Sequence, residues 1–216
     1  MADLLENEKK LVVKIVYYGP ALSGKTTNLM RLHDLIRPDK RGELMTLETS
    51  GDRTLFFDLL PLLAGKSVSG YKILVKLFTV PGQVAHDATR KAVLSRADGV
   101  VFIADSQIDQ AMNNAVSFEN LESNAGRVGI DFETLPLVIQ YNKRDLSNII
   151  PEEDIRALWG PTGMSIVFGS ALKGQGVLDT FRTILALTYE RLDTLYHLKH
   201  KLNIIENDFL ALVPSV

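Results

Sequence analysis

The stretch GPALSGKT at residues 19–26 matches the pattern G-x-x-x-x-G-K-[ST]. It follows the apolar run LVVKIVYY at residues 11–18, which has the composition of a buried strand, and precedes a helical pattern at residues 25–36. A glycine-rich turn between a strand and a helix brings backbone N–H groups and the positive end of the helix dipole to one point. This context favours a phosphate-binding loop over a chance match.

Within this loop, two side chains have predicted roles of their own. Lys25 is suited to place a positive charge on the β- and γ-phosphates of a nucleotide, and the Thr26 hydroxyl is suited to ligate Mg²⁺. The other predicted contacts to the nucleotide are made by the backbone and flanking residues of the loop: Gly19, Ala21, Leu22, Ser23, Gly24 and Thr27.

Strand-like and helical segments alternate along the rest of the chain. Further apolar runs occur at residues 71–78, 99–105, 135–142 and 164–170, with helical patterns at about 86–95, 109–128, 152–158 and from 174 onward. This order predicts an α/β fold with a mostly parallel central sheet and helices on both faces. Residues 38–70 are predicted to form a long loop, an apolar strand near 55–63 and a turn that completes a hairpin. Ligands of such sheets bind outside the carboxyl ends of the strands.

Two polar motifs follow the last two strand-like runs and predict a guanine site. In NKRD (residues 142–145), the Asp145 carboxylate can accept from guanine N1–H and N2–H, two donors that adenine lacks. Asn142 is predicted to bond both the base and the phosphate-binding loop, and the stem of Lys143 to lie on the ring. Each motif alone is typical of a polar turn, but their placement favours the base site. In GSALKG (169–174), backbone N–H groups are predicted to face guanine O6 from Ser170, Ala171 and Leu172.

Composition sets the broad class. The 216 residues are 46% hydrophobic and 23% charged, with a formal charge of −2, which predicts a soluble globular protein and argues against nucleic-acid binding. The absence of cysteine excludes disulfides, a thiol nucleophile and prenyl or palmitoyl anchors. With Ala2 rather than glycine at the second position and no signal-like or spanning apolar run, we expect a cytoplasmic protein without a direct lipid anchor.

The order of the elements resembles that of the Ras-like small GTPases over about residues 11–190. Within that class, the motifs YYGPALSGKTTN, DRTLFFDLLP, TVPGQ and YNKRDL together resemble those of the bacterial MglA family of polarity and gliding-motility GTPases. The resemblance implies a GTP/GDP switch with Mg²⁺ that is recruited to cell poles by polarity or motility effector proteins and activated by a roadblock-fold partner of the MglB type. The chain is predicted to consist of a G domain at residues 1–190 and a C-terminal helical extension at residues 191–216.

The stretch LFTVPGQ (77–83) departs from the usual pattern of a nucleotide switch. Gly82 is suited to offer its N–H to the γ-phosphate and Gln83 to orient the attacking water, but Thr79 stands where an aspartate normally serves Mg²⁺. A threonine can hydrogen-bond a metal-bound water but contributes no charge. The resemblance implies that threonine is the usual residue here, and Arg53 together with Gln83 favours a slow GTPase. A nucleotide-dependent scaffold that does not hydrolyse GTP stays open as the alternative.

The stretch GDRTLFFD (51–58) contains the remaining predicted chemistry. Thr54 is the predicted second ligand of Mg²⁺, although it lies 28 positions after Thr26, so the loop must be reorganised, or shifted along the sheet, to bring it in. By residue type alone, Arg53 is expected to be an exposed loop arginine. The resemblance implies instead an intrinsic arginine that neutralises charge in the transition state.

For two apolar segments, the sequence does not decide between packing inside the domain and binding another protein. The run LFFDLLPLL (55–63) fits equally a strand buried on both faces and a partner surface, and we expect some of Phe56, Phe57, Leu59 and Leu60 to be exposed in one nucleotide state. From Gly176 onward, a near-heptad apolar spacing predicts a helix of well over 20 residues. Its second half is either a docking surface or an extension folded back on the domain.

Overall fold

The structure is a computed structural model that describes residues 2–49, 55–82 and 87–214. Within these ranges, eight strands form one sheet: β1 (Asp3–Leu5), β2 (Lys10–Tyr18), β3 (Met45–Thr49), β4 (Leu55–Lys66), β5 (Lys72–Thr79), β6 (Gly99–Asp105), β7 (Leu137–Asn142) and β8 (Ser165–Phe168). The strand order is β3-β4-β5-β2-β6-β7-β8, and β1 pairs with the start of β2.

The central part of the sheet is parallel. Strands β5, β2, β6, β7 and β8 all run in the same direction, whereas β4 is antiparallel to both β3 and β5, and β1 is antiparallel to β2. The carboxyl ends of β2, β5, β6 and β7 therefore lie along one edge, which is where parallel α/β sheets bind their ligands. The predicted α/β class with a mostly parallel sheet is confirmed.

Helices cover both faces of this sheet. In the described ranges they are α1 (Lys25–Leu35), α2 (Asp87–Leu94), α3 (Ala111–Arg127), α4 (Glu152–Trp159), α5 (Val177–Tyr196), α6 (Leu198–Leu202) and α7 (Glu206–Leu210). Alternate residues of β2 point to opposite faces. Ile15 and Tyr17 pack in the core under α1 and α5, while Val16 and Tyr18 pack in the core under α2, α3 and α4. This two-sided burial explains the near-continuous apolar strands. Among the described helices, none combines the length and apolar character needed to cross a membrane.

The region before β5 differs in part from its prediction. The hairpin of β4 and β5 is confirmed, but residues 45–49, predicted to be loop, form β3 at the edge of the sheet. This edge strand pairs only with β4, and its Met45 and Thr46 are exposed, so MTLET lacks the apolar run that marks the inner strands. Strand β1 was missed for a similar reason, since it contains three residues and pairs with one neighbour.

Strand β4 lies inside the sheet, between β3 and β5. Leu60 is fully buried against the core beneath α1, while Phe57 and Leu59 are only half-buried. The side chain of Phe56 lies outside the described part of the chain. The run LFFDLLPLL thus has one face that is buried in the core and another face that is partly exposed.

The C-terminal helix is shorter than predicted. Helix α5 ends at Tyr196 after 20 residues, because His197 adopts a left-handed conformation with φ of 54°. The chain then turns back through α6 and α7, and four of its side chains are fully buried in the core under α1 and α5: Leu198, Ile204, Phe209 and Leu212. Of the two alternatives for this segment, the structure therefore shows the one in which it folds back. The proposed boundary at residue 190 stays a prediction.

Phe209→Ala tests that boundary. The Phe209 ring packs against Tyr189 of α5, with ring centroids 5.4 Å apart, and its side chain is fully buried. If residues 191–216 belong to the core, the variant is expected to lose about 3–5 kcal/mol of unfolding free energy in one cooperative transition, measured by urea denaturation. Leu195→Ala on α5 is the control, because Leu195 is half-exposed and should cost within about 0.5 kcal/mol. An equally small loss for Phe209→Ala would favour a separate extension.

Candidate functional site

The glycine-rich loop runs from Gly19 to Gly24, between the end of β2 and the start of α1. Gly24 has φ of 98°, and a Cβ atom there would lie 2.2 Å from Asn142 Nδ2, so the position requires glycine on both counts. The close contact also shows that this loop packs directly against the NKRD motif. The two motifs are more than 100 residues apart in sequence.

Asn142 joins three loops at the carboxyl edge of the sheet. Its Nδ2 donates to the Ser23 carbonyl at 2.8 Å, and its Oδ1 accepts from the Ala171 N–H at 2.8 Å. The glycine-rich loop, the NKRD motif and the SAL loop (170–172) are therefore held as one unit. The bond to the phosphate-binding loop agrees with the prediction. The Ala171 N–H, predicted to face guanine O6, already donates to Asn142, so the base would have to share this donor.

A cavity of about 250 Å³ lies between these loops. Its lining is formed by Leu22, Gly24, Thr27, Asn142, Lys143, Asp145, Leu146, Ala171 and Leu172. The Ser170 hydroxyl is the main cause of a lowered pKa of the Asp145 carboxyl, which keeps this group ionised and able to accept two hydrogen bonds. Five of the six predicted base-site residues thus line one cavity, and the sixth, Ser170, contacts Asp145.

Lys143 has a partner that sequence reasoning missed. Its Nζ lies 2.6 Å from Oδ2 of Asp105, which is buried at the end of β6, and its backbone is left-handed with φ of 66°. The ion pair fixes the lysine stem beside the base cavity. The only sequence signal for Asp105 was its place as the last residue of an apolar strand.

A second cavity, of about 350 Å³, adjoins the first. It is lined by Leu22, Gly24, Lys25, Thr26, Thr27, Asp58, Thr79, Val80, Pro81 and Gly82. Leu22, Gly24 and Thr27 line both cavities. One elongated ligand could therefore span a basic end at Lys25 and an acidic end at Asp145.

Lys25 is held inside its own loop. Its Nζ donates to the carbonyl oxygens of Gly19 at 3.1 Å and of Pro20 at 2.6 Å. Burial lowers the pKa of Lys25 to about 7, the charge of Arg90 adds to the lowering, and the charge of Asp58 opposes it. Phosphate oxygens beside Nζ would favour the charged form of this lysine.

Gly82 lies against the glycine-rich loop. A Cβ atom at Gly82 would come within 2.3 Å of the Ala21 Cα, so any larger residue would push the two loops apart. Its N–H is thereby kept close to the cavity that contains Lys25. Gln83, the next residue, lies outside the described residues, as do Arg53 and Thr54.

The place of the missing aspartate is occupied by a hydrogen-bonded pair. Thr79, at the end of β5, donates from Oγ1 to Asp58 Oδ2 at 2.9 Å and accepts from the Asp58 N–H at 2.8 Å. Thr26 Oγ1 donates to the same carboxylate oxygen at 2.6 Å. Hydroxyl and carboxylate oxygens are the ligands that Mg²⁺ prefers, so these residues fit this ion. Sequence analysis overlooked Asp58 because it stands within an apolar strand.

A glycine-rich loop at the start of α1, with a base-recognition motif after β7, defines a nucleotide-binding G domain of the Ras-like type. No protein-family model matches the chain. The chain is 44% identical to the Mutual gliding-motility protein MglA of Myxococcus xanthus (strain DK1622) over 192 residues, which cover 89% of this chain and 98% of that protein. The chain belongs to the MglA family of small GTPases.

Proposed function

We propose that this protein binds GTP or GDP with Mg²⁺ across the two adjoining cavities and slowly hydrolyses GTP to GDP and phosphate. The observation that carries the proposal is the junction at Asn142, which holds the loop of Lys25 and Thr26 against the loops of Asp145 and Ala171. Phosphate and base recognition then belong to a single ligand. The carboxylate of Asp145 favours guanine at one end of the site, and the positive charge of Lys25 favours phosphates at the other end.

The residues of the site divide the chemistry between them. The start of α1 and the loop N–H groups receive the phosphates, and Lys25 exchanges its carbonyl partners for phosphate oxygens. Mg²⁺, when bound, would neutralise charge on the phosphates, with Thr26 and Thr54 as its protein ligands. Gln83 would orient the attacking water, and Arg53 would neutralise charge in the transition state.

In the cell, we propose a role in polarity or gliding motility, in line with the name of the Myxococcus relative. The protein would be cytoplasmic and reach a pole through protein partners, among them a roadblock-fold activating protein of the MglB type and polarity or motility effectors.

A surface beside the nucleotide site suits such a partner. An apolar cavity of about 400 Å³ lies between the β4–β5 hairpin and α2, with Phe57, Phe78 and Val93 in its lining. The rings of Phe57 and Phe78 are 6.1 Å apart, and Phe57 is half-buried. We propose that a partner bound here acts on the segment of Gly82 and Gln83, because α2 follows these two residues closely in the chain.

Single-turnover GTP hydrolysis, with and without the cognate roadblock-fold protein, tests this function. Hydrolysis is expected to be slow alone and faster with the partner. Gln83→Leu is the matched control, because it should retain GTP binding while losing turnover. If the wild-type protein keeps GTP intact in the presence of the partner, the non-hydrolysing scaffold replaces the GTPase. If ATP is bound as well as GTP, the guanine assignment fails.

A further inference from the structure

One carboxylate and three threonine hydroxyls form a hydrogen-bonded cluster beside the phosphate cavity. Asp58 Oδ2 accepts from Thr26 at 2.6 Å and from Thr79 at 2.9 Å, and Oδ1 accepts from Thr46 at 3.0 Å. Asp58 is 6% exposed and Thr79 is 3% exposed. Within the described residues Asp58 forms no ion pair, and a carboxylate is rarely buried without one, so this burial calls for an explanation.

We infer that Asp58 supplies the negative charge that the Mg²⁺ site lacks at position 79, and that Thr79 positions this carboxylate. The carboxylate that the usual pattern places at position 79 on β5 is supplied here by Asp58 on the neighbouring strand β4. The inference rests on the proposed function, since the cation and the nucleotide share the site.

The direction of the Thr26 hydrogen bond supports this role. The hydroxyl has a single proton, and it donates that proton to Asp58. The oxygen lone pairs are therefore left for another partner, as a metal ligand requires. Outer-shell carboxylates that accept from a ligand in this way orient the ligand and raise its basicity.

The strand register explains how the carboxylate reaches the site. Strands β4 and β5 are antiparallel with Leu59 opposite Phe78, so the next position toward the carboxyl edge of β5 brings Asp58 beside Thr79. Opposed residues of such a pair have Cβ atoms about 4.5–5.5 Å apart, so adjacent strands can deliver a side chain to nearly the same place.

Thr79 suits this arrangement better than an aspartate would. Its hydroxyl accepts from the Asp58 N–H and donates to the Asp58 carboxylate, which fixes the carboxylate from two sides. An aspartate at position 79 would place two negative charges side by side and could not donate to Asp58. The substitution at position 79 therefore matches the presence of Asp58.

The charge of Asp58 acts at the phosphate end of the site. It opposes the lowering of the Lys25 pKa, and it lines the same cavity as Lys25. Without a cation, this charge repels phosphates; with Mg²⁺, it attracts the ion that binds them. A purely structural Asp58, holding β4 to α1 and β5, would affect nucleotide binding equally under both conditions.

Release of fluorescently labelled GDP from Asp58→Asn, in excess Mg²⁺ and in excess EDTA, separates these roles. Asparagine keeps the size and one acceptor oxygen but removes the charge. The ratio of the EDTA rate to the Mg²⁺ rate is expected to fall about 10–100-fold, because release accelerates in Mg²⁺ but not in EDTA. An unchanged ratio, including one produced by equal acceleration in both conditions, would overturn the inference.

Three further variants complete this test. Asp154→Asn removes an exposed carboxylate on α4 and should keep the wild-type ratio. Asp58→Asn combined with Thr79→Asp returns the charge to β5 and should recover most of the ratio. Thr79→Val keeps the charge but removes the positioning hydroxyl, so a smaller fall is expected. If Asp58→Asn does not fold, an unchanged ratio in Thr79→Val overturns the inference.

The wild-type protein tests the proposed function separately. If its GDP release does not respond to Mg²⁺ at all, the Mg²⁺-dependent nucleotide site itself is refuted. Because bound GDP cannot be hydrolysed further at this site, none of these readouts depends on catalysis by the loaded protein.

Discussion

GTP hydrolysis by Arg53→Ala in the presence of the activating partner is expected to be about 10³–10⁵-fold slower than by the wild-type protein. An arginine at the phosphates neutralises charge that develops in the transition state, so its loss lowers turnover rather than GTP binding. Arg53 itself lies outside the described residues. Strand β4 begins at Leu55, three residues before Asp58, whose carboxylate bonds Thr26 in the phosphate cavity.

Single-turnover assays at saturating partner would measure this effect, with GTP affinity determined in parallel. Arg53→Lys keeps the charge but not the planar fork, so we expect it to remain well below the wild-type rate. Arg182→Ala removes an exposed arginine of α5 and is the matched control. If Arg53→Ala hydrolyses GTP at the wild-type rate, Arg53 is not catalytic.

The site residues that could be predicted from sequence lie in loops that directly follow inner strands. Inner strands are buried on both faces and appear as apolar runs, so the residues that follow them could be assigned to one edge of the sheet. This reasoning placed Lys25, Thr26, Asn142 and Asp145 together, and the structure brings all four to two adjoining cavities.

Asp58 and Asp105 could not be predicted in the same way, because each stands within or at the end of a strand. Their roles depend on which strands are neighbours and in what register, as the pairing of Leu59 with Phe78 shows for Asp58. Apolar spacing alone does not contain that information.

The C-terminal segment illustrates another limit. Leucines at helical spacing continue past Tyr196, yet the helix stops where His197 takes a left-handed conformation. After the turn, Leu198, Ile204 and Phe209 pack in the core under α1 and α5. A helical spacing of apolar residues fits one long helix and also a helix whose chain folds back after it ends, because both arrangements bury these residues.

Asp145 is placed to decide which base the protein accepts. It lines the base cavity with Asn142 and Lys143, and the Ser170 hydroxyl keeps its pKa low. An ionised carboxylate can only accept hydrogen bonds, and guanine presents two donors on its N1 and N2 edge. An amide at this position can accept one bond and donate one, which matches N1–H and the C2 carbonyl of xanthine.

Asp145→Asn is therefore expected to exchange guanine for xanthine nucleotides, with a loss of GDP affinity on the order of 10⁴-fold, because a site built for a pair of hydrogen bonds rejects a base that leaves them unpaired. Competition against labelled GDP for the wild-type protein and labelled XDP for the variant would measure both affinities. Binding of XDP by the variant also shows that it is folded. Asp179→Asn, an exposed change on α5, should leave the preference for guanine intact. A variant that still prefers GDP over XDP would show that Asp145 does not recognise the base.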